Sequence, residues 1–348
     1  MQSVAAIERE ALHRLPELLG DLLDEPIGPN DLWHDSTDTG VDVTADARGR
    51  RWIFQVKSSS RPGLVASAAE QIAGMGEVDA ITVLVVPFMT PAGAKSAAER
   101  SLNWLDLSGN AHLRAGDGLY IHVEGRPNQY ASRGRPSSPF APKSSRVAHA
   151  MLLEPGRWWR QKGLAEIADL DDGHVSRIVR RLADDALLDR HGNEVRPRDP
   201  ELLLDAWADD YRLDRHDVVI GHATGSGIEL ARELHDRLGR AQIDHAFTGL
   251  PAAWALNQFA RFRLNTVYVH GDPRDAADAV DLRRNERGAN VQIVGPDDRG
   301  VFLGQRDLEE LPCVSAVQIY LDLGHLPERS NDAARQLRDD GWLWHAPR

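Results

Sequence analysis

Residues 80–87 read Ala-Ile-Thr-Val-Leu-Val-Val-Pro, a nearly continuous apolar run dominated by Val, Ile and Leu. A run this short fits a strand, and a strand that is apolar on both faces has to be covered on both. Helices supply that cover, so the chain is constrained towards layered α/β structure. The neighbouring sequence agrees. Ile7, Ala11, Leu12, Leu15, Leu18, Leu19 and Leu22 follow a helical period before it. Residues 40–45 and 51–56 read as strands, residues 64–75 as a helix of small side chains, and a further helix and strand come after the apolar run.

With 348 residues the chain is long enough for two or three domains. Residues 131–145, rich in Pro, Ser and Arg and without apolar periodicity, read as a linker. The expected class is therefore an α/β multidomain chain. A first domain spans 1–130, a helical module with a hairpin spans 146–212, and a second α/β domain spans 213–348. In the last of these, residues 218–220, 267–269 and 290–294 read as strands and 228–238 as a helix.

Composition narrows the setting. Hydrophobic residues make up 42% and charged residues 27%, so wholesale disorder is excluded. The longest apolar run falls well short of the ~20 residues of a membrane span. The amino terminus lacks the basic start and long apolar stretch of a secretion signal. Cys313 is the single cysteine, so neither an internal disulfide nor a Cys-based metal cage is available. A cytoplasmic protein is expected.

The net charge of −12 argues at first against a polyanion partner. The average hides a basic island. Between residues 133 and 198 there are 13 Lys and Arg against 9 Asp and Glu. Phosphate attraction acts over a Debye length of ~8 Å, so a local excess of this kind suffices for contact with nucleic acid.

Inside the island, residues 164–168, the turn 169–173 and residues 174–182 have helix-turn-helix spacing. Val175, Ile178, Val179 and Leu182 fall on one helical stripe, which predicts that they are buried. His174, Ser176, Arg177, Arg180 and Arg181 are left on the outer face, where guanidinium groups can take base edges or phosphates. Asp171 or Asp172 is the expected N-cap. A hairpin over 187–195, turning at His191-Gly192-Asn193, would serve as a wing, and Arg160, Lys162 and Arg196 join the DNA-binding set. Trp158 and Trp159 are read as packing residues. Helix-turn-helix readers often pair on palindromic sites, so a homodimer is expected, with no cofactor needed to bind duplex DNA.

The first domain carries a different constellation. Asp42 lies on the strand before the one holding Gln55 and Lys57, and alternation places Gln55 and Lys57 on one face. If the two strands pair through residues 46–50, all three meet. Asp42 and Gln55 could then hold Mg²⁺, while Lys57 orients water or stabilises developing charge. Glu8 is a candidate second carboxylate. These residues resemble the PD-(D/E)xK nuclease superfamily, in the Mrr-type variant where Gln replaces the acidic residue. The resemblance implies a restriction-endonuclease-like fold. Whether the chain is an enzyme stays open, because a neutral Gln weakens a divalent-metal site.

The last region holds segments that periodicity does not explain: Phe247-Thr248-Gly249-Leu250-Pro251-Ala252-Ala253-Trp254, Gly288-Ala289-Asn290-Val291, and Val317-Gln318-Ile319-Tyr320-Leu321-Asp322-Leu323, with Glu328-Arg329 and residues 333–338 beyond. Together with residues 105–110, 142–147 and 203–207 they resemble the AbiEi-type antitoxin family of transcriptional regulators. That likeness implies a winged helix that binds operon DNA, encoded beside a nucleotidyltransferase-like toxin. Thr224-Gly225-Ser226-Gly227 lacks a P-loop ending and is read as a helix-start turn. Asp106 and Asn110 are expected to fix a turn, His112 and His122 to lie on the surface, and Asp322 to pair with Arg329. The expectation is a sequence-specific DNA-binding regulator, with a metal-dependent DNA endonuclease as the alternative.

Overall fold

The structure is a computed structural model. It describes residues 4–28, 31–34, 43–74, 80–116, 118–130, 138–258, 262–285, 287–327 and 329–344, with backbone alone at 4–6, 33 and 34. These residues form two compact units. The first takes the residues up to 130 with Ala183–Leu187, and the second takes Ser138–Leu182 and the residues from Leu188 onward.

In the first unit α1 (Val4–Leu23) precedes β1 (Leu32–His34), β2 (Val43–Ala47) and β3 (Arg50–Val56). Then come α2 (Pro62–Gly74), β4 (Ala80–Val86), α3 (Pro91–Glu99), β5 (Asn103–Asp106), β6 (Ala111–Ala115) and β7 (Leu119–Val123). The seven strands lie side by side in chain order. β3 and β4, and β4 and β5, pair in parallel, while all other neighbours are antiparallel. The parallel links are the ones carried by helices, as crossover connections require. Positive φ at Arg48 and Gly49, 50° and 67°, turns β2 tightly into β3 inside the expected 46–50 segment.

The apolar run is β4, and its alternation divides two cores. Ile81, Val83 and Val85 face the α1 stripe of Ile7, Ala11, Leu15, Leu18 and Leu19. Leu84 and Val86 face Val65, Ala68 and Ala97, which belong to α2 and α3. A strand covered on both faces is what its sequence dictates. Asp106, fully buried, accepts from the backbone N–H groups of Met89 and Asn110 and from the Asn110 side chain, fixing the expected turn.

The second unit opens with α4 (Pro142–Leu153), β8 (Trp159–Arg160), α5 (Gln161–Ala168), α6 (Asp172–Asp184), β9 (Leu188–His191), β10 (Glu194–Pro197) and α7 (Pro200–Asp210). The helix expected from residue 146 begins at Pro142, inside the segment read as linker. Proline needs no N–H at the first helical position and its φ is already helical, so it starts the helix where composition had suggested irregular chain. β8, β10 and β9 form a small antiparallel sheet in that order.

A mixed α/β layer follows: β11 (Asp217–His222), α8 (Gly227–Arg240), β12 (His245–Thr248), α9 (Gly249–Asn257), β13 (Asn265–Val269), α10 (Pro273–Ala279), β14 (Arg283–Arg284), β15 (Val291–Gly295), β16 (Arg306–Leu308), β17 (Leu311–Cys313), α11 (Ala316–Leu323) and α12 (Ser330–Asp339). The sheet order is β14-β11-β15-β13-β12-β17-β16, with β13 parallel to β15 and β12 parallel to β17. The Gly225-Ser226-Gly227 turn does start α8. The buried Asn290 side chain pins it by accepting from the Ala223 N–H and donating to the Ala223 and Gly225 carbonyls.

Among the described residues, no helix is long and apolar enough to cross a membrane.

Candidate nucleic-acid interface

The α5–α6 turn is built from two local devices. Asp169 ends α5 in the left-handed conformation, φ 52°, and Asp171 caps α6 by accepting from the His174 N–H at 2.8 Å. Of the two candidate caps, Asp171 does the work and Asp172 becomes the first helical residue. Val175, Ile178, Val179 and Leu182 are buried, as their spacing predicts. This forces the intervening positions outward. Arg177 and Arg180 are exposed, and Ser176 and Arg181 are half-buried. Arg177 Nε donates to the Gly173 carbonyl of its own helix, which holds the guanidinium along the first turn. His174 behaves differently: its Nε2 lies 3.1 Å from Ser144 Oγ of α4, so the ring is turned back towards the helical core.

The hairpin carries the second set. Two residues, Gly192 with φ 58° and Asn193, link β9 to β10. Arg160 on β8 pairs with Glu194 on β10 at 3.1 Å. Arg196 pairs with Asp189 and stands over the Trp158 ring, 4.5 Å from its centroid. Trp159 is buried beneath the Arg157 guanidinium. Trp159 is thus a core residue, whereas Trp158 is half-buried against Arg196 and His191 of the hairpin. A polar groove runs along this sheet, lined by Arg160, Gln161, Arg190, His191, Asn193 and the carboxylate of Glu194, among others. Lys162, Arg180 and Arg190 are exposed and, among the described residues, form no ion pair. Of the acids at the α5–α6 turn, Asp169 pairs with Arg299 and lies 3.6 Å from Arg146, while Asp171 and Asp172 are exposed.

The first unit brings two of its predicted residues together and adds a third. Gln55 Nε2 and Lys57 Nζ both donate to Gln71 Oε1 of α2, at 2.5 and 2.7 Å, so the strand alternation holds. Gln71 escaped the sequence reading because a single amide on a small-residue helix carries no motif. Glu8 is half-buried on α1. Asp42 lies outside the described residues; the paired register ends at Val43 opposite Phe54. Gln55 offers a neutral amide where a hard dication prefers carboxylates. Among the described residues no group of three or more His, Cys, Asp or Glu side chains gathers for a metal.

Beneath the α/β sheet a fully buried carboxylate organises the segments that periodicity left unexplained. Asp322 Oδ1 accepts from Tyr211, Tyr268 and Gln318, and Oδ2 from Thr248 at 2.5 Å. Burial pushes its carboxyl up, against the pull of these donors. The expected Asp322–Arg329 pair does not form. Asp322 points inward from α11, and Arg329 pairs with Asp332.

Residues 196–342 match the family of transcriptional regulators described as AbiEi antitoxin, type IV TA system. The AbiEi match begins within β10 and runs past α12, so it takes in α7 and the whole α/β layer. Thr248, Gln318 and Asp322, three residues from segments that resemble AbiEi regulators, meet in one hydrogen-bonded cluster. Segments 105–110 and 142–147 lie outside the AbiEi match. No curated protein and no solved structure matches the chain.

The AbiEi-matching layer and the helices before it are joined by buried polar contacts. Arg146 of α4 is bidentate to Asp298, at 2.7 and 2.8 Å, and also donates to the Ala168 carbonyl at the end of α5. His149 bridges Gly300 and Ser315.

Proposed function

We propose that the protein is an antitoxin-type transcriptional regulator that reads duplex DNA with a winged helix made of α4 to α6 and the β9–β10 hairpin. The observation that carries this reading is the division of α6. Four aliphatic side chains are buried while Arg177 and Arg180 face solvent. The helix can enter a major groove with guanidinium groups in reach of guanine edges. Arg160, Lys162, Arg190 and Arg196 around the hairpin hold the flanking phosphates, and Ser176 takes a phosphate oxygen. Arg181 and His174 stand closer to the helical core and shape the edge of the surface. The AbiEi match over residues 196–342 supports the regulatory role.

In this reading the protein is cytoplasmic, binds as a homodimer, needs no cofactor for DNA, and is encoded beside a nucleotidyltransferase-like toxin. The test is protection of DNA upstream of its own gene. The reading expects two protected half-sites roughly one helical turn, about 10 base pairs, apart. An unprotected promoter at saturating protein contradicts it.

A second reading rests on the convergence of Gln55 and Lys57 on Gln71. Here the first unit is a PD-(D/E)xK-like nuclease domain, with Asp42, Gln55 and Glu8 as the oxygen donors for Mg²⁺ and Lys57 stabilising developing charge. Nicking of supercoiled DNA that needs Mg²⁺ or Mn²⁺ and is lost in Asp42→Ala and Lys57→Ala supports it. Nicking equal in variant and parent protein rejects it.

A further inference from the structure

We propose that His112 and His122 form a binding site for a divalent transition-metal cation of the kind that prefers imidazole, such as Zn²⁺. The two residues sit directly opposite each other on β6 and β7, and their Nδ1 atoms face one another at 3.1 Å. Two imidazole nitrogens bound at about 2.0–2.1 Å to one tetrahedral cation lie roughly 3.3 Å apart. The free-state separation is thus within a few tenths of an ångström of the bound one.

The second nitrogen of His122 supplies an independent pointer. Its Nε2 lies 3.3 Å from the Glu124 carboxylate, 66% exposed. A carboxylate near the far ring nitrogen suits the His122 tautomer that presents Nδ1 as a lone pair; in the metal-free protein the 3.1 Å Nδ1–Nδ1 contact is a hydrogen bond, and a bound cation takes the place of its proton. The strand pairing fixes both Cα positions, so little ordering is left for binding. Tyr120 flanks both rings, roughly parallel to His122 and edge-on to His112. His112 is half-buried and His122 exposed, which leaves room for water at the remaining coordination positions.

The chemistry selects the cation class. Two neutral imidazoles suit Zn²⁺, Cu²⁺, Ni²⁺ and Co²⁺, and offer nothing to Mg²⁺ or Ca²⁺, which take oxygen. Two protein ligands make a site of modest affinity. A second histidine pair, His235 and His245, with ring nitrogens 2.9 Å apart, provides an internal control. The His245 ring is buried and its Nδ1 is held by the Ile243 carbonyl.

Calorimetric titration of the full chain with zinc chloride, in a non-chelating buffer at neutral pH, tests the site. One equivalent is expected with a micromolar dissociation constant. His112→Ala and His122→Ala each abolish it, Glu124→Ala weakens it by about tenfold, and His235→Ala leaves it unchanged. Circular dichroism of the metal-free variants confirms that the sheet is intact. Zinc binding that survives both β6–β7 histidine substitutions, that is lost in His235→Ala, or that is absent at millimolar zinc overturns the proposal.

Discussion

Arg146 on α4 grips both carboxylate oxygens of Asp298, while its third nitrogen closes the end of α5 on the Ala168 carbonyl. Arg146 is only 5% exposed. A guanidinium with so little water depends on its partners, so Asp298→Ala should cost about 3–5 kcal/mol by leaving the charge with Asp169 alone, 3.6 Å away and shared with Arg299. Replacing both groups, Arg146→Met with Asp298→Leu, should recover part of that loss, since the Ala168 carbonyl and the Gly300 N–H still lose their partners. Urea unfolding of the single and double variants reads the difference.

His149 gives the second unit a pH signature. Burial pushes its imidazole down to about 4, against a smaller opposing effect of the Gly300 carbonyl. The neutral ring donates from Nδ1 to Gly300 and accepts at Nε2 from Ser315. Between about pH 6.5 and 4 the unfolded chain binds the proton that the folded one refuses, so stability falls as pH drops through that window, by up to about 1.4 kcal/mol per pH unit. The contribution is fully present above about pH 6.5. Thermal melts of the parent protein and His149→Gln from pH 7 to 4 check this, and the variant should show the shallower slope.

Gly93, in the first turn of α3, lies against the chain that follows β3. A Cβ there would sit 2.3 Å from the Ser60 carbonyl oxygen and 2.8 Å from the Ser60 Cβ. The obstacle is backbone, and the Ser60–Thr90 hydrogen bonds hold it in place. Gly93→Ala should therefore destabilise the first unit by about 1–3 kcal/mol, although Ala is the better helix former. Chemical denaturation followed by tryptophan fluorescence measures it.

What the sequence disclosed follows from which forces have a period. The α6 stripe, the two faces of β4, the tight turn at residues 48 and 49, and the shared face of Gln55 and Lys57 all come from local geometry. The misses come from contacts between residues distant in sequence. His174 satisfies the spacing for an outward residue, but Ser144, thirty positions earlier, draws its ring inward. Proximity in sequence pairs Asp322 with Arg329, whereas its donors come from residues 211, 248, 268 and 318. Residues 131–145 resemble a linker by composition, yet Pro142 takes the first helical position of α4, where composition carries no signal. The Arg146–Asp298 pair spans 152 positions and no spacing rule reaches it.

The central claim is that the outward arginines of α6 contact bases. Fluorescence anisotropy on a duplex from the protein's own promoter, with a scrambled duplex of equal length beside it, tests this most directly. Arg177→Ala or Arg180→Ala should weaken specific binding by about 1–3 kcal/mol and leave scrambled binding little changed, because a bidentate guanine contact is lost. Lys162→Ala should weaken both alike and reduce the salt dependence by about one phosphate contact. Promoter affinity identical to that of the parent protein in both arginine variants would contradict the account.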